Sequence, residues 1–370
     1  MPMISAEERS AILETFQRLL ADLHDESQLR QAMETDKGFD LYLWKQMGEI
    51  GIPALLVDPE FGGIGAGPVE LELLMEEAGA SLLCSPFLAS GVIAASFIGQ
   101  SCDQEIKERL LPKIASGTSI ATVAITGDAG LWTEADIQVD VEFVGNEFLL
   151  SGVCSFVLHA LNANILLVVA LVDGEVGLFE VDPKAVGVKI AALPVNDPTL
   201  RLGRIELDRV KAKQVVGVGS AEFRKAMDIA RVALAGESAG AARKIFEITV
   251  DYIANRYQFG RAVGGFQALK HMAADLLIEV ESATSVARNA AETLLADKSA
   301  AASAVPLAAF SSADSFFKVA AQSIQMSGGI AFTMEYAAHL YWRRARTNLR
   351  LFGSSDFYRE QYLVALESAQ

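Results

Sequence analysis

The spacing of apolar residues changes twice along this chain, and that double change restricts its possible folds more than any single motif. From Ala6 to about Ser116 apolar side chains recur three and four residues apart, as in Ile12, Phe16, Leu19, Leu20 and Leu23, or Leu71, Leu74, Met75 and Ala78. That is the spacing of one helix face. Between about Ile120 and Val216 short alternating or continuous apolar runs take over, as strands require. Gly145-Asn146 and Asp173-Gly174 each separate two such runs and predict two-residue hairpins. After Ser220, read as an N-cap with Glu222 in the first turn, helical spacing returns almost to the end. The chain therefore reads as mostly α with a β domain: an N-terminal helical bundle over 1–118, a middle antiparallel β domain over 119–217 and a C-terminal helical bundle over 218–370.

Half of the 370 residues are apolar, enough for a large core without cross-links. Cys84, Cys102 and Cys154 are odd in number and lack CxxC spacing, and no histidine pair has ligand spacing. Neither a disulfide framework nor a metal site is expected. The longest apolar run, Ile165 to Val172, falls far short of a membrane span and reads as a buried strand. Glu7, Glu8 and Arg9 leave no apolar signal core, so a cytoplasmic protein is expected. A net charge of −16 disfavours nucleic acid and anionic membranes as partners. The glycine-rich stretch from Pro59 to Pro68 is read as a structural loop, because a dinucleotide fingerprint needs a strand before it and helices flank this one.

Several local motifs occur in a telling order. Arg256-Tyr257-Gln258-Phe259-Gly260 is followed by Phe266-Gln267 and His271; Gln325, Gly328 and Gly329 precede Glu335 and Arg343-Arg344-Ala345-Arg346. Glu60 to Gly65 and Leu111-Pro112 with Ser116-Gly117 complete the set. Together they resemble the signatures of the acyl-CoA dehydrogenases, across nearly the whole chain. The resemblance implies that family's fold, with a C-terminal four-helix bundle, and an FAD-dependent oxidoreductase acting on acyl-CoA thioesters. It also implies cofactor contacts at Arg256, Phe259, Gln267, Gln325, Gly328 and Gly329. An arginine fork suits a diphosphate in so acidic a chain. Phe259, three residues on, is expected to share its helical face and lie against the adenosine. The glycines let backbone approach the ADP moiety. Taken singly, Arg256 also reads as a surface ion-pair partner, Phe259 as core and the glycine pair as a helix end; their joint occurrence favours a site. His271 reads as a packed, hydrogen-bonded histidine.

The catalytic residues implied by the resemblance are missing. The family's base glutamate sits in a YEG[TS] tetrapeptide, matched here by Leu351-Phe352-Gly353-Ser354, and Phe352 accepts no proton. The alternative base position, just before Arg231, holds Ala230; Arg231 itself is a substrate-site candidate. The family's β-domain flavin segments are altered, at Thr126-Gly127-Asp128-Ala129-Gly130 and at Phe156-Val157-Leu158-His159, where Leu158 replaces a hydroxyl. Groups serving a subunit's own flavin are lost, and those the family donates to a neighbour's ADP half remain. The expectation is a hetero-oligomer, dimer or tetramer, in which this chain shares FAD with a catalytic acyl-CoA dehydrogenase partner acting on fatty-acyl or steroid side-chain CoA esters. Two alternatives stand beside it: a homomeric enzyme with a base moved to Asp356, Glu360 or Glu237, and a non-enzymatic scaffold. The alanine-rich stretch from Ala300 to Ala321 suits an oligomer interface or an internal core helix equally.

Overall fold

A computed structural model describes residues 4–368. Six helices come first: α1 (Ala6–Leu23), α2 (Glu26–Glu34), α3 (Leu41–Glu49), α4 (Pro68–Ala80), α5 (Ala95–Gln100) and α6 (Gln104–Ala115). Their starts follow local chemistry. Ser5 and Glu8 form a reciprocal capping box on α1, and Asp40 and Asp103 cap α3 and α6 through backbone N–H groups. Seven strands follow: β1 (Ala121–Ala124), β2 (Val139–Val144), β3 (Glu147–Leu158), β4 (Ile165–Val172), β5 (Glu175–Val181), β6 (Val188–Ala192) and β7 (Leu202–Val215). The chain ends with α7 (Ser220–Asn255), a short hairpin of β8 (Tyr257–Gln258) and β9 (Arg261–Ala262), α8 (Gln267–Ala296), α9 (Lys298–Ser327), α10 (Ala338–Asn348) and α11 (Ser355–Ser368). None of the described helices is long and apolar enough to cross a membrane.

Packing divides the described residues into two compact units. One holds residues up to His24, Arg30–Gly67 and Cys84–Ala230; the other holds Asp25–Leu29, Pro68–Leu83 and residues from Arg231 on. The division falls inside α7, and α4 belongs with the C-terminal helices rather than with its sequence neighbours.

In the first unit both predicted hairpins are present, with Val144 opposite Glu147 and Val172 opposite Glu175. Asp173 and Gly174 both take positive φ, as a type I′ turn requires. The sheet is mixed, not wholly antiparallel: β1 pairs β4 in parallel, and β2 touches β4 in parallel at Asp140 and Leu171. Parallel pairing carries no hairpin signature, so local turn chemistry does not reveal it. Successive pairings β4–β2, β2–β3, β3–β7, β7–β5 and β5–β4 close a ring, with β1 and β6 attached outside it. Leu150, Leu166, Val168, Phe179, Ile205 and Val210 fill its core. The loop from Pro59 to Pro68 folds back on the preceding turn: Gly65 N–H bonds the Val57 carbonyl at 2.8 Å, and a Cβ at Gly63 would lie 1.8 Å from that oxygen. One 3₁₀ turn precedes the loop, a second opens it and α4 follows, so it lacks the strand a dinucleotide fingerprint needs. Ser220 is not the cap of α7. Gly219 accepts the Phe223 N–H at 2.9 Å and donates to Glu222 at 3.3 Å, while the Ser220 hydroxyl donates to Glu134 at 2.8 Å.

In the second unit α8 and α9 form an antiparallel pair joined at Asp297, which caps α9. Ala283, Ala287 and Ala290 of α8 meet Ala301, Ala304 and Ala308 of α9 in one buried cluster. This face of the alanine-rich stretch is thus internal core, because alanines let two helix backbones approach closely without losing side-chain entropy.

Candidate functional site

Arg256 stands one residue past the end of α7; its N–H still bonds the Tyr252 carbonyl at 2.9 Å. The chain then turns through β8 and β9, with Phe259 at φ 52° and Gly260 at φ 75° in the bend. The expected shared helical face of Arg256 and Phe259 does not exist, because the helix stops before either residue. Phe259 is not core: it is 91% exposed at the hairpin tip, with its ring 6.4 Å from Phe266 in an edge-to-face contact. A phenylalanine in left-handed backbone is uncommon and carries a conformational cost. Arg261 lies over the Phe266 ring at 4.0 Å and stiffens the hairpin base.

Exposed Gln267 opens α8, and exposed Gln325 lies in the last turn of α9. Gly328 ends α9 at φ 66° and ψ −144°, a conformation that excludes other residues, and a Cβ at Gly328 or Gly329 would meet no atom within 4 Å. The two glycines therefore leave a bare backbone corner facing open space, which fits close approach by a nucleotide. His271 is exposed on α8, not packed as expected.

A depression of about 540 Å³ reaches Arg256 and is lined also by Lys244, Asp251, Tyr252, Asn255 and Tyr336. Tyr336 was missed in the sequence. Its ring sits 5.6 Å from that of Tyr252, and its hydroxyl accepts a hydrogen bond from Ser327 at 3.2 Å. It thus links the arginine end of α7 to the residue just before Gly328. The only sequence signal was its place directly after Glu335 in a matched motif.

The position matched to the catalytic tetrapeptide is sealed. Phe352 is buried at φ 68°, and its carbonyl accepts the Tyr358 hydroxyl. Arg231 donates from Nε to the same phenol at 3.2 Å, its guanidinium 5.5 Å from the ring centroid. The space left among Arg231, Leu234, Ala309, Phe352 and Tyr358 is about 10 Å³, too small for an acyl group and marginal for one water. Arg231 is thereby committed to Tyr358. Ala230, at the other matched base position, is fully buried.

Of the three carboxylates that could serve as a relocated base, two are engaged elsewhere and the third is exposed. Glu237 is buried and receives bonds from Arg344 Nη1 at 2.9 Å and Asn348 Nδ2 at 3.1 Å. The Asp356 side chain is 93% exposed and pairs with Arg359 at 2.9 Å, and Glu360 is exposed on α11. In the β unit the Thr126 hydroxyl is directed to Asp136, whose other contacts include the Leu131 N–H at 3.0 Å, while Asp128 pairs with Arg204 at 3.1 Å. Leu158 is buried. The Thr126 hydroxyl and the Asp128 carboxylate are thus bonded within the unit.

A second buried polar cluster escaped the sequence reading. On α4, Glu72 and Glu76 lie one turn apart; Arg288 of α8 reaches Glu76 at 2.7 Å and Glu72 at 3.4 Å, and Arg243 of α7 reaches Glu76 at 2.8 Å and Glu77 at 3.2 Å. Gly236 and Gly240 admit the α4 backbone so closely that a Cβ there would lie 2.7 and 1.8 Å from the Glu72 and Glu76 carbonyl oxygens. Burial pushes the Glu72 carboxyl from 4.5 to about 7. The glycine pair four residues apart on α7 was the available sign of this close crossing.

Residues 6–118 match the acyl-CoA dehydrogenase N-terminal domain, and residues 217–366 match the acyl-CoA dehydrogenase C-terminal domain. The acyl-CoA dehydrogenase IpdE2 of Mycobacterium tuberculosis is 29% identical over 356 residues, covering 95% of each chain. A solved variant of the Tcur3481-Tcur3483 steroid ACAD superposes with a TM-score of 0.88 at 25% identity, over 98% of each chain. The ChsE4-ChsE5 complex of Mycobacterium tuberculosis shares the fold, with a TM-score of 0.90 at 23% identity over 100% of this chain and 99% of that one. With this architecture and these matched domains, the chain belongs to the acyl-CoA dehydrogenase family, whose members use FAD.

Proposed function

We propose that this chain is the cofactor-completing, non-catalytic subunit of a heteromeric acyl-CoA dehydrogenase. Arg256, Phe259, Gln267, Gln325, Gly328 and Gly329 would hold the ADP half of the FAD bound by a catalytic partner chain. The α,β-dehydrogenation of an acyl-CoA thioester would take place on that partner. FAD supplies the hydride acceptor of this reaction, and a carboxylate is needed for the α-proton; Phe352 and Ala230 offer none.

The observation that carries the reading is the contrast between the two ends of the second unit. The matched base position is closed around Phe352, with about 10 Å³ free, whereas Arg256 opens onto a depression of about 540 Å³. A self-sufficient enzyme needs the reverse of the first feature, and a scaffold has no use for the second. The name of the Tcur3481-Tcur3483 steroid ACAD supports a two-component assembly and a steroid CoA ester as substrate class.

The test is co-expression with candidate acyl-CoA dehydrogenase chains, followed by purification and a count of flavins. One flavin per two chains, lost in the Arg256→Ala complex, is the expected result. One flavin per chain, or a reducible flavin in a complex of this polypeptide only, defeats the proposal. Unchanged flavin occupancy in the Arg256→Ala complex returns the scaffold reading.

A further inference from the structure

The depression at Arg256 carries little net charge to hold an anion. Lys244 and Arg256 on its rim are matched by Glu247 and Asp251, so directional hydrogen-bond donors must contribute if a diphosphate is to stay. Asn255 is not available, because its amide nitrogen is turned back to the Asp251 carbonyl and carboxylate, both at 2.9 Å. Two phenols, Tyr252 and Tyr336, are the remaining neutral donors in the wall, and of these the Tyr336 oxygen is anchored by a hydrogen bond from Ser327.

Three features prepare Tyr336 for that task. Its ring is half-buried and packed 5.6 Å from Tyr252, which lies four residues before Arg256. The phenol oxygen already accepts from Ser327 at 3.2 Å. A phenol has one proton to give, and no acceptor for it is found among the described residues. Burial raises the phenol above its ordinary value, so the proton is retained at neutral pH. The donor is thus fixed at its ring and at its oxygen, with its hydrogen uncommitted.

On the reading that this depression receives the ADP half of a partner's FAD, we infer that Tyr336 is a binding residue for the diphosphate, its hydroxyl donating to a phosphate oxygen seated beside Arg256. By the same contacts it holds the end of α7 and the Ser327-Gly328 corner at a fixed spacing.

Titration calorimetry of the full chain with ADP and with adenosine tests this. Tyr336→Phe keeps the ring packing and removes only the hydroxyl, and matched melting curves verify the fold. Expected is a five- to tenfold loss of ADP affinity, about one hydrogen bond's worth, with adenosine affinity unchanged. Arg256→Ala is expected to lose more with ADP. If Tyr336→Phe binds ADP like the wild type while Arg256→Ala weakens it, the inference falls and the proposed function stands. An equal loss with ADP and adenosine reduces Tyr336 to a structural role and also overturns the inference. Wild-type chain that ignores ADP at millimolar concentration, or Arg256→Ala that binds as well as wild type, overturns the proposed function itself.

Discussion

Replacing Glu72 with glutamine is expected to remove a large part of the pH dependence of this protein's stability. Glu72 is fully buried, its Oε1 has no hydrogen-bond partner, and Arg288, its nearest cation, bonds more closely to Glu76. Facing it are Glu76 on its own helix, Arg243 from α7 and Arg288 from α8. Desolvation moves its carboxyl from 4.5 to about 7 in the folded chain. Below pH 4.5 both folded and unfolded chains hold the proton, so nothing is lost. Between pH 4.5 and 7 the unfolded chain releases it while the folded chain retains it, so stability falls as pH rises. Above pH 7 the penalty is constant. At about 1.4 kcal/mol per pH unit the native state loses about 3 kcal/mol over that window. Glutamine keeps an acceptor for Arg288 and cannot ionise. The assay is proton release on urea unfolding in weakly buffered solution at pH 6, which needs no two-state assumption. Wild type should release about one proton per chain more than Glu72→Gln. Equal release by the two proteins would refute the argument that this carboxyl is buried protonated.

Three further outcomes follow from the packing. Arg344→Ala leaves the buried Glu237 without its cation and should cost about 3–5 kcal/mol in denaturant unfolding; a loss below 1 kcal/mol would show that water reaches the pair. Gly240→Ala places a Cβ 1.8 Å from the Glu76 carbonyl oxygen and should cost at least about 1–3 kcal/mol by overpacking, read as a lowered melting temperature. Phe352→Ala empties a closed site and should cost about 3–5 kcal/mol; a near-neutral effect would mean that Phe352 borders an open channel instead.

The tertiary structure also explains why some readings from the chain were sound and others were not. Turn chemistry is local, and Asp173-Gly174 was legible because two adjacent residues of positive φ are what a twisted hairpin demands. The parallel edge at β1 was not, since Ala121 meets Ile165 across a long intervening segment with no local marker. Counting three residues from Arg256 places Phe259 on a helix face only if the helix continues, and α7 ends at Asn255. In the folded chain it projects from a hairpin. Leu71, Leu74 and Met75 mark one buried face of α4, but their spacing says nothing of the flank where Glu72 and Glu76 are buried against α7 and α8. The residue types alone carry the expectation of a missing base, because Phe352 and Ala230, at the positions matched by resemblance, are inert in any fold. Whether the space beside Phe352 was open or closed depended on Tyr358 and Arg231, brought together from distant parts of the chain. Local sequence specifies chemistry and backbone conformation; which groups are desolvated, and which cavities survive, is fixed only when helices pack.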